Sequence, residues 1–260
     1  MSDDPIRLEV RGATAHLILN RPDKRNALNA AMWEAIPVLL ERALGHDAVR
    51  LLVVSGAGGS FAAGADISEF QQVYATRERA EAYSRSIATA LDALAAFARP
   101  TLAMIEGACV GGGCGLALAC DLRFAAEGSR FGITPGKLGL VYTLNDTARL
   151  IRAVGAPAAK DMLFSGRLMD GSEALSIGLV NRLVPPDRLA GEVDAYAGLL
   201  AATSPNSAKV TKQLIALVEA GQAEDDEATR ALFLEAFSSA DFQEGYRAFL
   251  EKRAPQFGRG

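Results

Sequence analysis

The sequence has few of the residues that most often carry metal or nucleophilic chemistry. Its 260 residues include three cysteines and two histidines. The cysteines Cys109, Cys114 and Cys120 all lie in one apolar segment without a neighbouring histidine, which predicts reduced, buried thiols and no metal site. His16 lies in the apolar run ATAHLILN and His46 in ALGHDAVR, so we expect a structural position for each.

The charge and the apolar runs exclude two further classes of protein. The formal net charge is −4, with 27 Lys and Arg against 31 Asp and Glu. No basic run or stacking-aromatic motif indicates binding to nucleic acid. The uncharged run around residues 108–120 is too short and too rich in glycine to cross a membrane. The acidic start MSDDPIRLEV lacks the pattern of a signal peptide, so we expect a cytoplasmic protein.

The apolar content and its periodicity indicate an α/β fold. Half of the residues (50%) are hydrophobic, enough for one large domain or for a domain with an appendage. IRLEV and AHLILN predict an antiparallel pair of strands, and NAAMWEAIPVLLERALG predicts an amphipathic helix. RLLVVSG and TLAMIEG predict buried strands that each lead through a glycine loop into a helix, as stacked ββα units do. We therefore predict a ββα core over 1–200 and a helical oligomerisation region over 201–260.

Two loops of small residues, SFAAGADIS and VGGGCG, follow the two buried strands. At such loop–helix boundaries the main-chain N–H groups of Ala65 and Gly112 are expected to lack partners, and two donors that converge on one oxygen form an oxyanion hole. The second loop would add the positive end of a helix dipole. Spacing alone slightly favours a simpler reason for the glycines, which is tight packing of strand on helix. The glycines match neither common nucleotide-binding motif.

These motifs resemble those of the crotonase (enoyl-CoA hydratase/isomerase) superfamily. The resemblance rests on LNRPDKRNALN, FAAGAD, EGACVGGGCGLALACD, FGITPGKLGL, SIGLVNRLVP and DFQEGYRAFLEKRAPQF, which occur in the family's order. It implies a spiral of ββα units, a C-terminal helical trimerisation region and an acyl-CoA substrate, whose CoA is the only cofactor expected. The partners implied are further copies of the chain, in a homotrimer or a hexamer. Ala65 and Gly112 would hold the thioester enolate.

The resemblance also implies positions that bind the substrate. The main chain around Ala63 would bind the adenine, and the neighbouring loop positions expected to contact substrate are Asp66, Ile67, Gly111 and Pro135. The basic residues that are candidates to neutralise the CoA phosphates are Lys24, Arg25, Lys252 and Arg253.

The sequence departs from the family at two positions that matter for the reaction. Members that hydrate enoyl-CoA carry one glutamate at the end of the GGGC motif and a second after the proline of the FG-x-x-P segment. In this chain we assign Gly115 and Gly136 to those positions. Glycine supplies neither an acid nor a base, so conventional hydratase or isomerase chemistry is not expected.

Loss of CO2 from a malonyl-type thioester would form the same enolate without removing a proton from carbon. The segment ITPGKLGLVYTL resembles the corresponding part of methylmalonyl-CoA decarboxylase. The resemblance implies that Thr134 and Tyr142 occupy positions that lie around the reacting carboxylate in that enzyme. That enzyme carries a histidine at the position of Ala65 and an acid at that of Gly115. We therefore predict decarboxylation of a short alkylmalonyl-CoA, with Thr134 and Tyr142 orienting the carboxylate.

Two alternatives stay open. The first is a hydratase or isomerase in which Glu69, Glu81 or Asp146 replaces the missing acid. The local sequence favours other roles for these acids. Asp146 lies where a helix N-cap is expected, and Glu81 lies on a helix face that is expected to be solvated. Asp66, which follows the first loop, is expected to cap the next turn. The second alternative is a subunit that binds CoA esters without turning them over.

Overall fold

The structure is a computed structural model that describes residues 4–258. Over those residues the strands are β1 (Ile6–Arg11), β2 (Thr14–Leu19), β3 (Leu51–Gly56), β4 (Thr101–Ile105), β5 (Ala108–Val110), β6 (Leu122–Ala126), β7 (Arg130–Gly132), β8 (Met169–Asp170) and β9 (Arg182–Val184). The α-helices are α1 (Ala30–Leu44), α2 (Phe70–Val73), α3 (Arg77–Ala95), α4 (Gly112–Ala119), α5 (Leu144–Ser165), α6 (Gly171–Ser176), α7 (Leu189–Ala201), α8 (Pro205–Glu219), α9 (Glu227–Ser238) and α10 (Ala240–Leu250).

The strands form two sheets, between which the chain alternates. The larger sheet has the order β1-β2-β3-β4-β6-β9, and the smaller has the order β5-β7-β8. β1 and β2 pair antiparallel, as predicted, and the other pairs in the larger sheet are parallel. β4 and β5, like β6 and β7, follow each other closely in the chain yet lie in different sheets. The predicted α/β fold of ββα units is therefore confirmed.

Different helices cover the two faces of the larger sheet, because alternate residues of a strand point to opposite sides. Leu52 and Val54 of β3 point into the main core, which α1, α3 and α4 complete. Leu51 and Val53 point to the other side, where α7 packs. The main core thus lies directly beneath the helices that surround the two glycine loops.

After α7, the described chain forms only helices. These helices leave large apolar side chains exposed, among them Phe233, Leu234, Phe249 and Leu250. The division of the chain at residue 200 stays a prediction. Among residues 4–258, no helix is both long and apolar enough to cross a membrane.

The cysteines and histidines take the structural positions expected. Cys109, Cys114 and Cys120 are buried and free, and burial raises the pKa of Cys120 to about 12. Burial in β2 lowers the pKa of His16. His46 is exposed in the turn after α1, where its carbonyl oxygen accepts a hydrogen bond from an arginine.

Candidate active site

The first small-residue loop leaves the N–H group of Ala65 without an acceptor among the described residues. Leu28 donates its N–H to the carbonyl oxygen of Gly64 at 2.8 Å and accepts a hydrogen bond from the N–H of Asp66 at 2.8 Å. In parallel pairing, the residue between those two partners points its own N–H away from the paired strand. The pairing with Leu28 therefore turns the Ala65 amide toward the second loop.

The second free N–H group belongs to Gly112, the first residue of α4. The first N–H groups of a helix have no acceptor within that helix. Gly111 precedes it with φ 54° and ψ −119°, a conformation that favours glycine, and donates its own N–H to the carbonyl oxygen of Gly132 at 2.8 Å. In the described chain nothing accepts the N–H of Gly112.

The two loops lie in direct contact, so the two free amides are neighbours. A Cβ atom added at Gly112 would lie 3.5 Å from the nitrogen of Ala65. One added at Gly64 would lie 3.7 Å from the nitrogen of Gly112 and 3.2 Å from the carbonyl oxygen of Val110, on a backbone with φ 113°. The glycines thus permit the close approach of the loops, and that approach places two donors beside a single point.

Both amides line a cavity of about 210 Å³. Its wall is formed by α1, α3, the two loops and the segment 134–146. The predicted site residues that line it are Ala63, Ala65, Ile67, Gly111, Gly112, Thr134, Pro135 and Tyr142. Most of the remaining wall is apolar, and the lining residues of the described chain include no lysine, arginine or histidine. Nowhere in residues 4–258 do three potential metal ligands come together.

Tyr142 lies on this wall, but its hydroxyl is bound within the protein. It donates a hydrogen bond of 2.8 Å to the carbonyl oxygen of Gly111. A phenol has one proton to donate, and here the main chain accepts it, so the role of Tyr142 in orienting a substrate carboxylate stays a prediction. Burial is the main cause that raises the pKa of Tyr142 well above its ordinary value, and nearby Cys114 and Asp146 add to it. The hydroxyl therefore stays protonated and keeps its contact.

The contact of Tyr142 acts on the peptide that carries the second free amide. The carbonyl of Gly111 and the N–H of Gly112 belong to one planar trans peptide, in which they point in opposite directions. The same carbonyl also accepts the N–H of Gly115 at 3.0 Å. Two donors thus hold the oxygen, and they fix the direction in which the N–H of Gly112 points.

Thr134 is half-buried, and its hydroxyl is free to meet a ligand. It makes no hydrogen bond within the described residues, and its Oγ1 lies 3.7 Å from where a Cβ at Gly111 would be. Of the predicted polar side chains on the wall, this is the one that could still donate to a bound group.

The two glycines assigned to the missing acids differ in their surroundings. Gly115 is buried on the cavity wall, and a Cβ added there would lie 3.7 Å from the Tyr142 hydroxyl. Gly136 is exposed and does not line the cavity, and its assignment to the family's second glutamate position stays a prediction. Of that segment, Thr134 and Pro135 line the cavity.

One carboxylate lines the cavity in the described chain, that of Asp146. It is the third residue of α5, and the N-cap is Thr143, so the prediction of an N-cap at Asp146 is wrong. Its carboxylate accepts hydrogen bonds from Thr143 Oγ1 at 2.8 Å and from Arg149 Nη1 at 3.0 Å. Arg149 is also ion-paired with Asp92 of α3. Asp146 is therefore held in a fixed position on the cavity wall.

Asp66 does not contact the cavity, although it was predicted to bind substrate. Its carboxylate accepts hydrogen bonds from the N–H and hydroxyl of Ser68 and from Arg21 Nη2 at 2.8 Å. The first of these bonds confirms that Asp66 caps the following turn. The hydrogen bond from the Ser68 hydroxyl is the main cause that lowers the pKa of Asp66, and the contact with Arg21 lowers it further.

The other acids proposed as replacements are used elsewhere. Glu69 accepts the N–H of Ala30 at 2.8 Å and so satisfies the first turn of α1. Glu81 pairs with Arg77 on the solvent side of α3, with more than half of its side chain exposed (55%). Neither residue lines the cavity.

The basic residues expected at the CoA phosphates do not line this cavity. Lys24, Arg25 and Lys252 are exposed. Arg253 is paired with Glu244 and Glu251. Their role toward CoA stays a prediction.

Sequence reasoning missed a group of aromatic residues that line the same cavity as the loops. It consists of Trp33 from α1 together with Phe70, Tyr74 and Tyr83. Tyr74 packs edge-on against Phe70 at 5.0 Å and against Tyr83 at 5.8 Å between ring centroids. The sequence feature that could have indicated this group is a helical spacing in α3. Tyr83 shares one face of that helix with the other lining positions, 84, 87, 88 and 91.

Comparison with known proteins places this site in a family. The family model described as "Enoyl-CoA hydratase/isomerase" matches residues 9–260. The crystal structure of a "putative enoyl-CoA hydratase/isomerase family protein" from Hyphomonas neptunium is 48% identical with a TM-score of 0.95, covering 97% of each chain.

Relatives known from sequence give the same result. A "putative enoyl-CoA hydratase" of Thermus thermophilus is 38% identical over 95% of this chain and 98% of its own length. The "crotonyl-CoA hydratase" of Syntrophomonas wolfei is 34% identical over 99% of both chains. The chain therefore belongs to the enoyl-CoA hydratase/isomerase family of the crotonase superfamily.

Proposed function

We propose that the protein binds an acyl-CoA and stabilises the enolate of its thioester between the N–H groups of Ala65 and Gly112. The observation that carries this proposal is the contact between two loops whose neighbouring amides both lack an acceptor. Each fixed donor that points at a developing oxyanion typically raises the reaction rate by about a hundred- to thousandfold. The N-terminal end of α4 adds a favourable dipole at Gly112.

We further propose that the reaction is that of a hydratase or isomerase in which Asp146 is the acid and base. In hydration, the carboxylate takes a proton from water while the water oxygen bonds to C3 of the enoyl group. The electron pair of the double bond moves to the thioester oxygen, which the two amides hold. The protonated Asp146 then returns the proton to C2 as the enolate collapses. One carboxylate thus completes the addition of H and OH.

The contacts of Asp146 suit this role. A carboxylate has about four lone-pair positions, of which Thr143 and Arg149 occupy two. Its position on the cavity wall puts it in the same space as the two amides. The names of the relatives, which include enoyl-CoA and crotonyl-CoA hydratases, support the same reaction class.

Decarboxylation of a short alkylmalonyl-CoA is the second candidate. The free hydroxyl of Thr134 and the absence of a side chain at Gly115 favour it, because a carboxylate on the substrate needs a donor and space. Two observations count against it. The Tyr142 proton is bound to Gly111, and the one charged group on the wall, Asp146, repels a substrate carboxylate.

The experiment compares both reactions in three proteins. Wild type, Asp146→Asn and Glu81→Gln are each incubated with crotonyl-CoA and with methylmalonyl-CoA, and products are separated by chromatography. We expect hydration by wild type, a fall of at least about a hundredfold in kcat for Asp146→Asn, and no change for Glu81→Gln. Glu81 is the matched control because it is an exposed carboxylate outside the cavity.

Other outcomes would support the alternative functions. Full hydration by Asp146→Asn refutes the role of Asp146, and release of propionyl-CoA without hydration establishes the decarboxylase. Binding of butyryl-CoA in a calorimeter without turnover of either substrate indicates a non-catalytic subunit. The same binding measurement on Asp146→Asn shows whether that variant retains a folded site.

We propose that the chain assembles as a homotrimer or as a pair of trimers through its C-terminal helices. Support comes from the apolar side chains exposed on α9 and α10, because surfaces of this kind mark contacts with another chain. Light scattering coupled to size-exclusion chromatography gives the mass, and a monomer at micromolar concentration would contradict the proposal.

A further inference from the structure

A second cavity, of about 690 Å³, shares no lining residue with the proposed active site. Its wall is formed by the end of α4, the start of β6, the middle of α5 and one face of α8, together with residues of α7. Its volume lies in the range of sites that bind small molecules. We call it the Arg123 cavity, after the buried cation in its wall.

Arg123, the second residue of β6, is 7% exposed and keeps one nitrogen free. Its Nε donates to the carbonyl oxygen of Leu179 at 2.7 Å, and its Nη1 donates to that of Cys120 at 3.0 Å. Nη2 makes no hydrogen bond within the described chain, yet it is not among the unpartnered atoms that are closed off from solvent. Because Arg123 lines the cavity, this free nitrogen is open to that space.

No carboxylate of the described residues forms an ion pair with Arg123. The acid that acts on it, Asp121, already accepts hydrogen bonds from the N–H of Thr101 at 2.7 Å and from Lys212 Nζ at 2.8 Å. Burial is the main cause that lowers the pKa of Arg123, because little nearby compensates the positive charge. A buried charge without a counter-ion is costly, and proteins rarely keep one without a partner.

The other charges around the cavity balance one another. Four cationic and two anionic side chains line it. Each cation other than Arg123 has an acidic partner: Lys212 pairs with Asp121, Arg149 with Asp146 and Arg152 with Glu219. The wall of the described cavity therefore has one positive charge left without a counter-ion, and it suits a ligand with one negative charge.

The rest of the wall specifies the body of that ligand. Leu118 and Ala119 from α4, Leu200 from α7 and Ile215 from α8 give it apolar surface. A guanidinium group presents its N–H donors in a planar fork, which matches the planar oxygens of a carboxylate. A molecule with a carboxylate at one end and a short apolar chain satisfies both parts of the wall.

We propose that the Arg123 cavity is a second binding site, which takes a small monocarboxylic acid. The carboxylate meets Nη2 of Arg123, and the apolar chain lies against Leu118 and Ile215. This site goes beyond the proposed function, because it uses neither the two free amides nor Asp146 as an acid or base.

The test measures the affinity of three probes by ligand-detected NMR. Hexanoate carries the proposed carboxylate and chain, 1-hexanol has the chain without the charge, and inorganic phosphate has charge without the chain. Each titration is repeated with excess butyryl-CoA, which occupies the proposed active site and leaves the Arg123 cavity open.

Two variants of α8 form a matched pair. Ile215→Asp places a negative charge in the cavity wall, whereas Val218→Asp places the same charge on the same helix outside it. Both side chains are exposed, at 54% and 68%, so neither change disturbs a packed core. Arg123→Gln removes the cation directly. Its melting temperature is measured first, because Arg123 also holds two main-chain carbonyls.

For wild type and Val218→Asp, we expect hexanoate to bind at least about tenfold more tightly than 1-hexanol or phosphate, with or without butyryl-CoA. For Ile215→Asp, we expect hexanoate to bind at least about tenfold more weakly than it binds wild type, because the new carboxylate repels it. Arg123→Gln should bind hexanoate no better than 1-hexanol. If that variant does not fold, the pair at 215 and 218 decides.

Several results would overturn the inference. They are equal affinity of wild type for hexanoate and 1-hexanol, displacement of hexanoate by butyryl-CoA, and equal effects of the changes at 215 and 218. An absence of hexanoate binding, together with a lower mass of Ile215→Asp in light scattering, would show that a second copy of the chain fills the cavity. None of these outcomes depends on turnover of crotonyl-CoA, so this inference and the proposed function fail independently.

Discussion

The change Tyr142→Phe tests whether a side chain that does not touch the thioester aligns the oxyanion hole. It removes only the hydroxyl that donates to the carbonyl of Gly111 at 2.8 Å. That carbonyl keeps its second donor, the N–H of Gly115, so no buried acceptor is left unpaired. We expect a loss of about 1 kcal/mol in the free energy of unfolding, the net worth of one hydrogen bond. For a chain of this size, that corresponds to about 2–4 °C in Tm.

The effect on the rate should exceed the effect on stability. The N–H of Gly112 lies on the same rigid peptide as the carbonyl that Tyr142 holds, so a looser carbonyl means a looser donor. Complete loss of one donor costs about a hundred- to thousandfold in kcat. Loss of its alignment alone should cost a part of that, about tenfold, or about 1.4 kcal/mol in the activation barrier. The substrate binds through its CoA portion as before, so KM should stay within about twofold.

The assay follows the loss of enoyl-thioester absorbance with crotonyl-CoA for wild type, Tyr142→Phe and Tyr196→Phe. The last variant also loses a phenolic hydroxyl, but on the opposite face of the sheet. An unchanged kcat together with a lower Tm would show that the hydroxyl is only structural. Release of propionyl-CoA from methylmalonyl-CoA is measured in parallel. A fall in activity that is confined to methylmalonyl-CoA would show instead that Tyr142 acts on a substrate carboxylate and does not align the Gly112 amide.

Two further changes test the packing and the charges behind the site. Gly113→Ala should lower the free energy of unfolding by about 1–3 kcal/mol, because its Cβ would lie 2.4 Å from the carbonyl oxygen of Ala62. The control Gly115→Ala should melt within about 2 °C of wild type, because its Cβ would meet nothing nearer than 3.7 Å. Equal Tm values for the two variants would contradict this. The pKa of Asp66 is lowered in the folded protein, so its contribution to stability is present above the unfolded pKa of about 4 and is lost as the pH falls through the lower folded value. Asp66→Asn, followed by urea unfolding, should therefore lose stability at pH 7 and show a weaker fall between pH 5 and pH 2, and parallel curves would refute the assignment.

The elements and the two loops were predictable because they depend on local pattern. The alternation of apolar residues fixed the faces of β2, and the helical spacing in 30–44 indicated α1 although Pro37 lies inside it. The glycines indicated the loops that present the free amides, and the structure shows positive φ at Gly64 and Gly111. The three cysteines were placed correctly for the same reason, since an apolar run predicts burial.

The partners of the polar side chains were not predictable, because residues far apart in the chain supply them. Asp66 meets Arg21 from 45 positions away, and Glu69 meets the start of α1 from 39 positions away. Tyr142 finds its acceptor 31 positions earlier. Each of these contacts occupies a group that was a candidate to act on a substrate. Their partners could not be assigned from sequence because a motif gives a residue's type and not the direction of its side chain.

By itself, the sequence determined that two loops of small residues would end buried strands and begin helices, since glycine allows the turn and small side chains allow the close packing. It also determined the family, through the order of six motifs. The tertiary structure decided which polar groups remain available. It brings the two loops together, ties the Tyr142 hydroxyl to the main chain and leaves Asp146 and Thr134 on the wall of one cavity. The physical reason is that hydrogen bonds form between groups that are near in space, and that proximity exists only once the sheet and helices have packed.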